Sequence, residues 1–187
     1  MIYYIADLHL GHRNVIKFDN RPFGSVEEND EAIIERWNNT VADDDTVWIL
    51  GDIGFGSAER IVDVYGSLKG HKKLIIGNHD EKLLRNAKVR NLFEETKYYT
   101  EITDYANRKI VLCHYPIPCF KNHYYGAYHL YGHVHSGKEF EIMEKTKRAL
   151  EEALNMPCNM FNVGCMMPYV NYTPVTMEDI LSANYER

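Results

Sequence analysis

Asp7-Leu8-His9, Gly51-Asp52, Gly77-Asn78-His79-Asp80, His114 and Gly132-His133-Val134-His135 carry the side chains of this sequence best suited to metal chemistry. They offer imidazole nitrogen, carboxylate oxygen and amide oxygen, with no thiolate. That donor set suits first-row divalent cations such as Mn, Fe, Zn or Ni. On an extended strand, residues i and i+2 face the same way, so Asp7 with His9, and His133 with His135, are each expected to converge on one centre. Either pair alone is a common surface arrangement; five such clusters in order are not. Gly51, Gly77 and Gly132 stand beside them, where glycine permits sharp turns and close backbone approach.

The elements that must position these residues are short apolar strands. Residues 2–6, 46–50, 72–76, 109–113 and 128–131 are strand-like, and each runs into one of the five clusters at its carboxyl end. Ligands of open α/β sheets bind outside the carboxyl ends of strands, so the repetition predicts one composite site fed by five strands. Further strands are expected at 96–103 and 160–163. Ser25 with Glu28 forms a capping box for a helix reaching Thr40 with Ile33, Ile34 and Trp37 on one face. Ser57 caps a second helix with Ile61, Val62, Tyr65 and Leu68. Residues 81–92 and 141–154 read as helices, and Thr176 caps another over 177–185. The alternation places the chain in the α/β or a related layered class.

The chain has 187 residues, 45% hydrophobic and 26% charged. This is ordinary globular composition and excludes a disordered chain, a collagen-like repeat or a simple coiled coil. At this length one domain, 1–187, is expected. No apolar run approaches the ~20 residues of a membrane span, and the N-terminus lacks the basic region of a signal peptide. A cytoplasmic, non-membrane protein is expected. Lys and Arg number 21 against 27 Asp and Glu, a net charge of −6. That balance argues against a long nucleic acid as partner, but not against a small phosphorylated substrate, because bound cations invert the local field. Cys113, Cys119, Cys158 and Cys165 show no metal spacing and are expected as reduced, buried thiols. The oligomeric state is not legible.

The five clusters in order resemble the motifs of the calcineurin-like metallophosphoesterase superfamily, over residues 7 to 135, about two thirds of the chain. The longer phrases Asp7-Leu8-His9-Leu10-Gly11-His12-Arg13-Asn14, Asp45-Thr46-Val47-Trp48 and Asn162-Val163-Gly164, with the Pro174-Val175 step, are similar to a small bacterial and phage subgroup. The resemblance implies an α/β four-layer sandwich of two mixed β-sheets flanked by helices, with a dinuclear site at one end of the sheets. One divalent metal ion would take Asp7, His9, Asp52 and His135, and the second Asn78, His114 and His133, with Asp52 bridging; Mn is the expected metal. It implies hydrolysis of a phosphate ester by hydroxide that the two ions activate, with His79 as general acid. A small phosphodiester or nucleotide-type substrate is expected. A non-enzymatic metal-binding scaffold on the same fold and a nuclease are the alternatives. The complete ligand set weighs against the first, and the net charge against the second.

The sequence departs from the Ser/Thr protein phosphatases after Asp52, where Ile53-Gly54-Phe55-Gly56 replaces their Asp-Arg-Gly. The partner of His79 is therefore open. Asp80 either orients it or caps the following helix. Arg13, His12 and Tyr124 are candidate substrate contacts: Arg13 as a grip on phosphate, His12 by its place in the first motif, and Tyr124 as a loop aromatic able to stack on a base. His71, His123 and His129 are expected to be surface or core histidines. The helix after the last cluster is expected to cover a sheet face or to form a subunit contact.

Overall fold

The chain folds as two mixed sheets with flanking helices, seen in a computed structural model that describes residues 1–185. The first sheet is built from β1 (Ile2–Ile5), β2 (Thr46–Ile49), β3 (His71–Ile75) and β4 (Glu95–Lys97), all parallel. The two-residue β9 (Val175–Thr176) pairs antiparallel with β1. Parallel strands covered on both faces read as continuous apolar runs, which is the pattern of Tyr3 to Ala6 and Val47 to Leu50, all buried. The second sheet is ordered β5 (Tyr99–Thr103), β6 (Lys109–Cys113), β7 (Tyr128–Tyr131), β8 (Met160–Asn162). Its β5–β6 pair is antiparallel and the other pairs are parallel.

The period of two along the second sheet separates its faces. Ile110, Leu112, Leu130 and Phe161 enter the main core with the first sheet. Val111, Tyr131 and Met160 face a smaller cluster, which Phe140, Met143 and Leu150 of α6 (Lys138–Leu154) cover. On the other side, α2 (Val26–Thr40) and α3 (Ala58–Ser67) bring Ile33, Trp37, Ile61 and Tyr65 to the main core. Their starts are capped as expected: Glu28 N donates to Ser25 Oγ at 3.1 Å and Arg60 N to Ser57 Oγ at 3.3 Å. At α7 (Met177–Tyr185) the cap is reciprocal, Asp179 N to Thr176 Oγ1 and Thr176 N to Asp179 Oδ2.

One junction fixes the site. Ala6 N donates to Val163 O and Cys165 N to Ala6 O, each at 2.8 Å. The end of β1 is thereby tied to the end of β8, so the two sheets converge where the polar clusters emerge.

Two expected elements differ. The strand at 96–103 is two strands in different sheets, β4 and β5, because the chain crosses between sheets at Tyr98. The helix at 81–92 breaks into α4 (Glu81–Leu84) and α5 (Ala87–Arg90). Asn86 is the cause: it takes an extended conformation and its side chain accepts from Lys88 N at 2.9 Å, the local competition by which asparagine ends helices. A one-turn α1 (Val15–Phe18) also follows the first cluster. Of the four cysteines, which are all free, Cys119 is exposed rather than buried. Among the described residues no helix is long and apolar enough to cross a membrane.

His129 is a core histidine, as expected. Its Nδ1 donates to Val111 O (3.1 Å) and its Nε2 accepts from Ile117 N (3.0 Å), which pins the segment after His114. Burial lowers its pKa to about 4. Above the ordinary value of 6.5 both folded and unfolded chains hold it neutral. As pH falls from there towards 4, only the unfolded chain takes the proton, so about 3 kcal/mol of stability is lost across that window. Denaturation midpoints of His129→Gln are expected to be lower than wild type at pH 7 and to fall less steeply between pH 6.5 and 4. An unchanged slope would assign the acid sensitivity elsewhere.

Candidate metal centre

The cluster residues lie just beyond the strand ends, and the pleat is not what makes them converge. Asp7, His9, Asp52, His133 and His135 have φ of 56°, 49°, 58°, 70° and 49°. Non-glycine residues rarely adopt this left-handed region, at a cost of about 1 kcal/mol or more apiece. The expected i, i+2 alternation is thus corrected: left-handed turns aim these side chains inward. Strain of this kind persists where the surroundings over-determine it and gathers at functional sites. Asp80 supplies part of the bracing. It is fully buried, accepting from Gly77 N (2.7 Å), Asp52 N and Ile53 N (both 2.9 Å). It therefore clamps two of the turns together. It makes no side-chain cap on α4 and bonds to no atom of the His79 ring, which corrects both expectations for it. The turns also meet tightly: a Cβ on Gly51 (φ 91°) would strike the His114 ring, and one on Gly77 the Asp52 carboxylate.

The structure brings all seven expected ligand residues together. Donor atoms of Asp7, His9 and His135 lie within 4.8 Å of one another, as do those of Asp7, Asp52 and His114. Asp52 Oδ2 stands between two imidazoles, 3.5 Å from His9 Nε2 and 3.6 Å from His114 Nε2. Asn78 Oδ1 is 3.0 Å from His114 Nε2 and 2.9 Å from His133 Nδ1. His133 N donates to both Asp7 oxygens, at 3.1 and 3.0 Å.

Hydrogen bonding shows that this donor set fits cations. His114 Nδ1 lies 2.7 Å from Leu50 O, and a carbonyl only accepts, so Nδ1 carries the proton. Burial lowers the pKa of His114 to about 4, which keeps it neutral. Its Nε2 lone pair then faces the Asn78 and Asp52 oxygens, acceptor against acceptor. His135 also donates from Nδ1, to Asp19 Oδ1 at 2.6 Å; burial would lower its pKa, but this hydrogen bond and the nearby Asp7 and Asp19 carboxylates raise it, and its Nε2 lies 3.2 Å from His9 Nε2. Burial pushes the Asp7 pKa up to about 7 and raises that of Asp52, while burial, with the charges of His135 and Arg21, lowers His9 to about 2. The His114 Nε2 lone pair set against the Asn78 amide oxygen is an acceptor pair of the kind that a divalent ion resolves.

The second face of each ligand histidine is where sequence reasoning fell short. Asp19 is the carboxylate partner of His135, a common device for fixing a metal-binding imidazole. Within Asp19-Asn20-Arg21-Pro22 it reads only as a polar turn. His79 is exposed at the rim. Its backbone N donates to Asp52 Oδ1 (3.0 Å), and its ring lies 5.2 Å from Phe55 and 5.7 Å from His9. His12 stacks on Phe55 at 4.3 Å. Arg13 is exposed, with no side-chain hydrogen bond or ion pair among the described residues. Tyr124 packs on His123 (4.0 Å), away from the cluster rings. The tyrosine that meets the cluster is Tyr115, 4.6 Å from the His133 ring and 5.1 Å from that of His114. A cleft of about 440 Å³ opens beside the centre, walled by Phe55, Asn78, His79, Lys82 and Arg85. A second cavity, about 490 Å³ between α6 and β8, contains none of the cluster residues.

Oxygen and nitrogen donors gathered about shared carboxylates, at the convergent ends of two mixed sheets, define a metal-dependent hydrolytic centre. Residues 1–154 match the calcineurin-like phosphoesterase family. The chain belongs to that family and is a metal-dependent phosphoesterase. It is 29% identical to "Uncharacterized protein MJ1445" of Methanocaldococcus jannaschii over 184 residues, 96% of this chain and 89% of that protein. It is 41% identical to the "Gene 66 protein" of Mycobacterium phage L5 over 81 residues, 42% of this chain and 39% of that one. The Aquifex aeolicus protein AQ665, whose structure was solved as one of unknown function, shares the fold. Its TM-score is 0.69 at 22% identity, covering 98% of both chains.

Proposed function

We propose that the protein is a two-metal phosphodiesterase acting on a small, nucleotide-type substrate, with Mn as its working metal. The observation that carries the reading is Asp52 Oδ2 set between His9 Nε2 and His114 Nε2, with a cleft opening beside it. Asp7, His9, Asp52 and His135 would hold one ion, and Asp52, Asn78, His114 and His133 the other. Two divalent ions supply Lewis acidity and acidify water towards neutral pH. The chain's own residues do the rest. His79, at the junction of centre and cleft, donates a proton to the leaving oxygen. The Phe55–His12 stack offers a flat apolar ledge of the kind on which a base or aryl group packs. Lys82 and Arg85 form no ion pair among the described residues and place positive charge on the cleft wall of an acidic protein. A cleft of this size takes a nucleotide-sized leaving group, and the net charge of −6 disfavours a long polynucleotide. Arg13, exposed beside the first cluster, remains a candidate phosphate contact; Tyr124 would reach substrate only through movement of its turn.

The test compares an aryl phosphomonoester, a bis-aryl phosphodiester and a dinucleotide, using metal-stripped protein reconstituted with Mn. The expected result is Mn-dependent turnover, abolished by chelation, with the diester preferred over the monoester by about tenfold or more in kcat/KM, ~1.4 kcal/mol. Monoester preference would overturn the phosphodiesterase assignment. Metal binding without turnover of any ester would favour a scaffold.

A further inference from the structure

Arg21 is a buried charge that the proposed chemistry does not use. Its side chain is fully shielded, and all five N–H groups of its guanidinium are engaged. Nε and one Nη2 hydrogen donate to Asp19 Oδ2, at 3.0 and 2.9 Å. The other Nη2 hydrogen goes to Asp7 O at 2.9 Å. Nη1 donates to Leu8 O at 3.0 Å and to Asn29 Oδ1 at 3.1 Å. Asn29 lies on α2 and donates in turn to Asp30 Oδ1 (2.9 Å), while Asp30 Oδ2 accepts from Gly11 N (2.8 Å). The fork is thus anchored to a helix and closes on the Asp7 and Leu8 carbonyls of the first cluster.

We propose that Arg21 is the positioning residue for the half of the centre built from Asp7, His9 and His135. The inference rests on those residues being cation ligands. Two effects come from one group. The Asp7 and Leu8 carbonyls are gripped, which holds the left-handed turn that aims Asp7 and His9. Asp19 Oδ2 is occupied, which leaves Oδ1 to receive the His135 Nδ1 proton and turns Nε2 towards His9. Asn78, His114 and His133 make no hydrogen bond to Arg21; Leu50 O sets the His114 tautomer independently. Arg21 reaches that half only through Asp7, which accepts from His133 N, so the larger dependence falls on Asp7, His9 and His135. Lysine cannot replace this group, because three donors on a flexible stem do not reproduce a planar five-donor fork.

The experiment titrates Mn and Co into metal-stripped wild type, Arg21→Lys, Asp19→Asn and the double variant. Calorimetry reports stoichiometry and Co absorption reports coordination; near-UV circular dichroism checks folding. Wild type is expected to bind two ions. Arg21→Lys is expected to bind one with near wild-type affinity and the other roughly 10–100-fold more weakly, with an altered Co spectrum. The double variant should be no weaker than the weaker single variant, because Arg21 acts through the same turn and carboxylate. Two ions at wild-type affinity in Arg21→Lys, equal weakening of both, or additive losses in the double variant would overturn the proposal. Should Arg21→Lys fail to fold, Asp19→Asn decides: selective weakening of one ion supports the couple, and two ions at wild-type affinity overturn it. A wild type that binds no divalent cation would overturn the ligand reading itself.

Discussion

Asp52→Asn, reconstituted with Mn, is expected to lose roughly 10³-fold or more in kcat/KM, about 4 kcal/mol of barrier, while its metal-free form melts at a higher temperature than wild type. The activity loss follows from position. Asp52 Oδ2 lies 3.5 and 3.6 Å from the two histidine nitrogens proposed to hold different ions. An amide offers one neutral oxygen, and its NH₂ donates where a carboxylate would ligate. The stability gain follows from burial, which raises the Asp52 pKa. A carboxyl whose folded pKa exceeds its unfolded value costs stability once pH rises above the unfolded value of 3.8. At neutral pH the neutral amide removes that penalty. Turnover and a melt on the same metal-free and metal-loaded samples check both signs. Wild-type turnover in this variant would end the bridging assignment. A lower metal-free melting temperature would mean that the carboxylate is structural.

His79→Gln should separate chemistry from binding. The ring borders the cleft, and its backbone is tethered to Asp52 Oδ1 at 3.0 Å, so substitution of the side chain leaves the ligand turns in place. General acid catalysis contributes roughly 10²–10⁴-fold where the leaving oxygen needs a proton. The loss in kcat should therefore fall in that range for an alkoxide leaving group such as a nucleoside hydroxyl. For p-nitrophenolate, which leaves without help, it should be less than about tenfold. Metal content should stay at the wild-type value. Equal losses on both esters would assign His79 to phosphate binding, and no loss on the poor leaving group would remove it from the reaction.

Much of this site is legible in the sequence because its chemistry is written in residue types that have few other uses. Carboxylate, imidazole and amide at the ends of five apolar runs mark a metal centre before any fold is known. The runs themselves give the strands, since a parallel strand buried on both faces has to be apolar throughout. The capping box at Ser25 and the cap at Ser57 mark helix starts for the same reason: the signal is local and the bond it predicts is local. The split of 96–103 between two sheets was not legible, because both halves have strand composition and only tertiary pairing divides them. Tyr124 looked like the accessible aromatic, yet Tyr115 is the one beside His133, a matter of where a loop lands.

By itself the sequence determined the donor set, the five strand ends that carry it and the layered α/β class. Those depend on side-chain type and on periodicity, which are properties of single segments. The tertiary structure alone decided how the donors meet. Left-handed turns, not the pleat, aim Asp7, His9, His133 and His135. Asp80 clamps two turns instead of serving His79 or a helix end. Asp19, from a plain polar turn, fixes His135, and Arg21 ties that carboxylate to the Asp7 turn. Apart from the local Asp19–Arg21 and Gly77–Asp80 bonds, each of these is a hydrogen bond between segments far apart in sequence or a backbone conformation imposed by packing, and neither leaves a mark in local composition.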